Sequence, residues 1–317
     1  MKLLVTGGSG FIGSNFISRC LKNSNEIKII NLDALLIGSN HKNLTNIDSN
    51  RYKFLKGNIC NKKLISKLIK KVDCIVNFAA ESHVDRSIED STVFMKSNFL
   101  GVHTILEELR NHKDVKMIQI STDEVFGDIT KGAFYENDVL NPSNPYSATK
   151  AAAEMLVKSY VRTYDLDVTI TRCVNNYGPK QFPEKLIPKI ILNSLRGLPI
   201  PIHGDGKARR QWIHVFDHCD AIFKIMKKSK KSSCIYNIPG NFEISNLDLT
   251  KKILKIMGKS EDLIKFVSDR PGQDKRYAIK SRKIKKELNF EPKIKFDDGI
   301  SLTIKWYLQN KQWHDHL

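Results

Sequence analysis

The sequence predicts an α/β fold, a doubly wound parallel sheet with a smaller C-terminal substrate-binding region. Three observations predict it. Short apolar runs alternate with amphipathic stretches through the first half, a glycine-rich turn follows the first run, and the chemistry-bearing residue groups fall just after successive strands.

Residues 3–6 read as strand one and 11–21 as its helix. Strand two spans 27–32, and a short third strand spans 52–55. The stretch 61–71 is a helix, because Leu64, Ile65, Leu68 and Ile69 form one stripe with lysines opposite. Strand four is 74–78, a long helix covers 92–111, and strand five is 115–120. A helix over 145–164 starts with Asn144 as N-cap and Pro145 at its first position, where the missing N–H costs nothing. Strand six is 168–172. Beyond it the alternation weakens and prolines recur at 179, 183, 188, 199 and 201. Residues 1–174 are therefore assigned to dinucleotide binding, with some later segments returning to the sheet, and 175–317 mainly to substrate binding.

Composition narrows the function classes. A chain of 317 residues that is 41% hydrophobic can bury a sizeable core. It holds no apolar run near the roughly 18 residues a membrane span needs, so no membrane association is expected. The N-terminus opens on a strand rather than on a basic, then apolar, leader, and no signal peptide is expected. Six cysteines without a Cys-x-x-Cys pair indicate reduced thiols and a cytoplasmic protein. The net charge of +18 raises the question of nucleic acid. However, Lys62–Lys71 and the run 227–231 are lysine-rich without interleaved aromatics, so they read as solvated faces; no nucleic-acid partner is expected. A basic surface would instead draw in an anionic substrate. His214 and His218 stand four apart without a third ligand in a recognisable motif, so no metal is expected.

Gly7, Gly10 and Gly13 repeat every third residue between a strand and a helix. Glycine there allows a tight turn and close backbone approach, and the helix N-terminus can hold a pyrophosphate, as in a Rossmann sheet. Asp33 lies 20 residues after Gly13, where a carboxylate bonds a ribose 2′-hydroxyl and repels a 2′-phosphate. NAD is the expected cofactor. Tyr146 and Lys150 lie four apart on one helix face, and the ammonium, with the helix dipole, is expected to lower the phenol's pKa. Ser121-Thr122-Asp123-Glu124 sets two carboxylates beside hydroxyls at the end of strand five. Phenol, ammonium and paired carboxyls near a dinucleotide could move a hydride, take a carbon-bound proton and expel a hydroxyl.

At this point the chain resembles the nucleoside-diphosphoglucose 4,6-dehydratases among the extended short-chain dehydrogenases/reductases. The resemblance rests on residues 6–14, Ala79-Ala80-Glu81-Ser82-His83-Val84-Asp85-Arg86-Ser87-Ile88, 121–128, 145–150, 175–179, 182–188 and Asp269-Arg270-Pro271-Gly272. The triplet Thr122-Asp123-Glu124 is its specific part.

The resemblance implies dehydration of dTDP-glucose or UDP-glucose to the 4-keto-6-deoxy sugar nucleotide. Tyr146, with Thr122 and Lys150, would serve C4 oxidation; Glu124 would take the C5 proton; Asp123 would protonate the leaving C6 hydroxyl. Two adjacent carboxyls with opposite roles need different pKa values. Cofactor contacts are implied for Gly7, Gly10, Phe11, Ile12, Gly13, Asp33, Asn58, Ile59, Ala79, Ala80, Tyr146 and Lys150. Substrate contacts are implied for Glu81, Thr122, Asn175, Asn176, Lys185, Leu186, Arg210, Asn237 and Arg276, the two arginines suiting a diphosphate. Asn58 departs from the family's aspartate, Phe126 from its tyrosine, and Gln211 from the aspartate before Trp212. A homodimer through the helices starting near Thr92 and Pro145 is implied as well. A sugar-nucleotide 4-epimerase has no use for Asp123-Glu124, and a non-catalytic NAD-sensing protein would not need the intact Thr, Tyr and Lys set.

Overall fold

The computed structural model describes residues 1–317 apart from 46, 48, 49, 229–233, 270 and 315–317. Part of the lysine run at 227–231 and Arg270 of the Asp269–Gly272 motif therefore lie outside the described residues.

Twelve strands are described: β1 (Lys2–Thr6), β2 (Lys28–Asp33), β3 (Tyr52–Lys56), β4 (Cys74–Asn77), β5 (Lys116–Thr122), β6 (Val168–Cys173), β7 (Asn175–Tyr177), β8 (Ile200–His203), β9 (Arg209–His214), β10 (Ile235–Ile238), β11 (Phe242–Ser245) and β12 (Ile264–Val267). Seven form one parallel sheet in the order β10-β6-β5-β4-β1-β2-β3. The order reverses between β1 and β4, which opens a crevice at their carboxyl ends. β4 and β6 are buried along their whole length, as strands covered on both faces must be.

The helices are α1 (Phe11–Asn23), α2 (Lys62–Ile69), α3 (Val84–Glu89), α4 (Thr92–Phe94), α5 (Gly101–Leu109), α6 (Pro145–Tyr164), α7 (Leu186–Arg196), α8 (Val215–Lys227), α9 (Asn246–Met257), α10 (Lys283–Leu288), α11 (Phe296–Gln309) and α12 (Lys311–His314). One sheet face packs on α1 and α8 through Phe16, Ile17, Cys219 and Ile222. The other packs on α2, α5 and α6 through Ile65, Leu68, Ile105, Leu106 and Val157. A third cluster, including Ile190, Trp212, Ile253, Ile300 and Tyr307, builds the C-terminal region around α7, α9 and α11. There β7, β9 and β11 form a three-stranded sheet, and β8 pairs with β12.

Two features of the chain path differ from the simplest reading. The helix expected over 92–111 is interrupted by a π-helical segment, Met95–Leu100, between α4 and α5. Such widened turns often sit at functional sites. Here it places Asn98 so that its side chain brackets the Glu81 backbone, accepting from Glu81 N at 2.9 Å and donating to Glu81 O at 3.0 Å. The second feature is that β10 and α8 rejoin the first half: β10 extends the sheet beside β6, and α8 lies against α1.

Candidate active site

Because all seven strands run parallel, their carboxyl ends share one edge. Gly7 follows β1, Asp33 ends β2, Asn58 follows β3, Ala79 follows β4, Thr122 ends β5, and Cys173 ends β6. One cleft along this edge is lined by Gly7, Gly10, Phe11, Ile12, Gly13, Asp33, Asn58, Ile59, Ala79, Ala80, Tyr146 and Lys150. All the residues expected at the cofactor therefore stand around a single groove.

The groove fits a dinucleotide on its own geometry. Gly7 has φ +67°, and a Cβ there would stand 2.6 Å from Ala79 N, so β1 and β4 meet closely only around glycine. A Cβ at Gly13 would meet Gly7 O at 2.4 Å. Gly10 is the N-cap of α1 and supplies no capping side chain, which leaves the first-turn amides open to an anion. Asp33 is buried; its Oδ2 accepts from Ser9 N at 2.9 Å and its Oδ1 from Leu35 N at 2.8 Å. The carboxylate is thus held rigidly, with lone pairs left for a ribose. Asn58 Oδ1 accepts from Cys60 N at 2.8 Å, an Asx turn that an aspartate would also make.

A second cleft shares Phe11, Ile12, Ile120, Ser121, Tyr146 and Gln181 with the first. It is also lined by Thr122, Glu124, Asn175, Asn176, Lys185, Leu186 and Arg210. Thr122 caps the 3₁₀ turn Asp123–Phe126, its Oγ1 accepting from Glu124 N at 3.3 Å and lying 3.3 Å from Asp123 Oδ1. This turn presents the two carboxyls differently. Asp123 is 2% exposed, whereas Glu124 is only partly buried and faces the cleft. Burial first, then the charge of Glu124, pushes the Asp123 carboxyl up to about 8. Burial also raises Glu124, but Arg210 and Lys185 oppose it.

Burial, followed by the Glu124 carboxylate, pushes the Tyr146 phenol far above its ordinary range, with the Thr122 hydroxyl acting in the opposite direction. Lys150 Nζ donates to Ile120 O at 2.6 Å, and burial lowers its pKa to about 8 while Glu154 raises it. The Lys150 ammonium thus braces the end of β5.

Three residues expected at the substrate stand elsewhere. Asn237 is fully buried within β10, its amide donating to Phe134 O and Lys280 O. Arg276 pairs with Glu243 through Nε and Nη2 at 2.8 and 2.9 Å and donates to Gly132 O. Neither lines the two clefts. Glu81 lines the cofactor groove, its carboxylate 3.9 Å from Arg86. Asn176 lines the substrate cleft, but its amide donates to Val174 O and accepts from His218 Nδ1 at 2.9 Å. His214 caps α8 through Nδ1, so the two histidines serve the packing of one helix start.

The family model described as GDP-mannose 4,6 dehydratase matches residues 4–303. The chain belongs to the GDP-mannose 4,6 dehydratase family. It is similar to the low-salt glycan biosynthesis protein Agl12 of Haloferax volcanii, with 46% identity covering 97% of this chain and 99% of that protein. It is similar to the dTDP-glucose 4,6-dehydratase of Streptomyces niveus, with 42% identity covering 100% and 96%. Among solved structures, DesIV, a dTDP-glucose 4,6-dehydratase from Streptomyces venezuelae with NAD and TYD bound, matches with a TM-score of 0.97. The identity is 41%, covering 100% of this chain and 99% of that one.

For this member of the dehydratase family the substrate cleft also holds residues that the sequence reading passed over: Asn144, Asn246, Gln273, Asp274 and Tyr277. Asn246, at the start of α9, joins Asn144, Asn175 and Asn176 along this cleft. Asp274 accepts from Ser143 Oγ at 2.6 Å and from the Tyr277 hydroxyl, and its backbone O accepts from Arg210 Nη2 at 2.9 Å. The 271–277 segment thereby covers the paired carboxyls. Its Pro271-Gly272 pair was a usable signal for a loop, but nothing local tells that the chain there returns to Asp128, Ser143 and β9.

Proposed function

We propose that this chain is a 4,6-dehydratase acting on dTDP-glucose, with NAD in the glycine-loop groove. One observation carries the reading: the turn after β5 sets a buried Asp123, its carboxyl pushed up to about 8 by burial, next to Glu124, and Glu124 lines the same cleft as Tyr146. When bound, NAD would supply a hydride acceptor for C4, a hydride donor for C6 and a positive charge.

A positive charge beside Tyr146 would favour its phenolate and offset the effect of burial. The Tyr146 oxygen receives the 4-hydroxyl proton as C4 becomes a ketone, and the Thr122 hydroxyl steadies the same oxygen. The ketone acidifies C5, and Glu124 removes that proton. Asp123 gives its proton to the C6 hydroxyl, which leaves as water. As C6 is reduced, Glu124 returns a proton to C5, and the proton held by Tyr146 passes through solvent to restore Asp123, so one water is lost with no net redox or proton change. Lys185, Arg210 and Asn246 are the residues assigned to the nucleotide, while Leu186 and Asn175 shape the cleft around it. Asn176 acts by position. Residues 1–174 and their returning segments serve the cofactor, and 175–317 mainly the substrate.

We also propose a homodimer through α4, α5 and α6. Val93 on α4, Met95 and Leu100 on the π-helical segment and Met155 on α6 are 42–47% exposed, apolar side chains that a second copy would cover. The protein is assigned to the cytoplasm. No helix among the described residues is long and apolar enough to cross a membrane.

Mass spectrometry of dTDP-glucose incubated with the protein in deuterated water tests the activity. The expected result is loss of one water with one deuterium gained at C5. An unchanged mass with inverted C4 configuration would replace the dehydratase with an epimerase. A parallel incubation with UDP-glucose decides the nucleotide.

A further inference from the structure

Asn43 joins four distant segments of the chain. Its Nδ2 donates to Ser9 O at 2.9 Å, inside the glycine loop. Its Oδ1 accepts from Trp313 Nε1 at 2.6 Å, and its backbone O accepts from Lys180 Nζ at 2.7 Å. Its own N–H closes onto Asn40 O at 3.0 Å. Asn43 is 6% exposed, so these bonds lie largely out of water.

The segment leading to Asn43 forms a wall of the cofactor groove. Ala34, Leu36, Ile37 and Gly38 line it, and Leu36 and Ile37 are 43% and 64% exposed. Only a few bonds hold this wall to the glycine loop. Asn40 N donates to Ser9 O at 3.0 Å beside the Asn43 amide, so both fastenings converge on one carbonyl.

The tail reaches this point through an aromatic cluster. The Trp313 ring packs edge-on against Trp306 at 4.9 Å, and Tyr307, fully buried, donates its hydroxyl to Gln181 O. Gln181 lines both clefts. Trp has a single side-chain donor, and here it is spent on the one free acceptor of Asn43. With Oδ1 so engaged, the amide must present Nδ2 to Ser9.

We propose that Trp313 is a positioning residue for the cofactor: by fixing the Asn43 amide it holds the 34–40 wall closed over the dinucleotide and slows its escape. This rests on the NAD assignment above. A reaction that restores its cofactor in each cycle gains nothing from exchange, so a tail latch costs no turnover.

The test compares full-length wild type with Trp313→Phe, which keeps the ring packing and removes the N–H, and with Trp313→Ala. NAD dissociation is followed by dilution into an NAD scavenger, together with turnover at saturating NAD and the melting temperature of stripped protein. Trp313→Phe is expected to release NAD about three- to tenfold faster, the effect of one lost hydrogen bond. Turnover at saturating NAD and the stripped protein's melting temperature should change little. Trp313→Ala should release faster still. Wild-type release rates in Trp313→Phe would overturn the latch, and so would a fall in melting temperature with release unchanged. A wild-type protein that binds no NAD would instead overturn the cofactor assignment, and the latch with it.

Discussion

Lys150 Nζ donates to the backbone carbonyl of Ile120 across 2.6 Å, and this bond ties the first turns of α6 to the last residues of β5. Tyr146 rides on that helix and Asp123 on the turn after that strand, so the bond helps to set their separation.

Lys150→Met removes the tie and the charge together. It should reduce dehydration by about 10²-fold or more, the usual weight of a preorganised donor. Burial lowers the Lys150 pKa to about 8 from 10.5. Between those values the unfolded chain holds the proton and the folded one does not, so stability rises with pH across that window. Melting curves of Lys150→Met should lose this rise.

Asp123 gives the opposite sign. Its folded pKa of about 8 lies above the ordinary 3.8, so the folded state holds a proton that the unfolded chain has lost. Stability contributed by that proton is present at low pH and is lost as pH rises toward 8. Asp123→Asn should therefore melt higher than wild type at alkaline pH while losing about 10²–10⁴-fold in elimination. Wild-type elimination should fall as pH passes about 8, where the acid loses its proton. Reduced cofactor accumulating in Asp123→Asn would show that C4 oxidation survives.

How much of this was legible beforehand depends on the range of the contacts. The six strands of the first half are local apolar runs, so pattern reached the glycine loop and Asp33, and resemblance added the other groove residues. Asn246, Asp274 and Tyr277 arrive at the cleft by long-range closure, and no periodicity marks which loop folds back. Asn237 and Arg276 were expected at the substrate because of residue type and resemblance. Backbone carbonyls and Glu243 take them up first, which a sequence does not display. The π-helical turn was hidden because Met95–Leu100 reads as ordinary helix.

The buried pair Glu154–Arg172 offers a packing test. Arg172 Nη2 lies 2.6 Å from Glu154 Oε2, both side chains are fully buried, and the guanidinium stacks on Phe126 at 4.6 Å. Glu154 sits one turn beyond Lys150, so α6 is fastened to β6 as well as to β5. Glu154→Ala leaves a buried cation unpaired and should cost about 3–5 kcal/mol, read by chemical denaturation. The double replacement Glu154→Leu with Arg172→Met should cost much less, because no charge is then stranded.

Arg210 and Arg276 were expected to share a diphosphate, and their surroundings now predict different outcomes. Arg210 stacks on Tyr277 at 4.3 Å, lines the cleft and lowers the pKa of both Asp123 and Glu124. Arg210→Met should raise KM for dTDP-glucose at least tenfold and shift the acid limb of the pH profile upward, because Glu124 then ionises later. Arg276 is committed to Glu243, whose carboxyl it holds below its usual range. Its pair is only partly exposed, at 19% and 21%, so Arg276→Met should lower the melting temperature. The loss is expected near 1 kcal/mol, with KM within about twofold of wild type. Steady-state kinetics on both variants separates the roles: a large KM rise in Arg276→Met would return that arginine to the substrate.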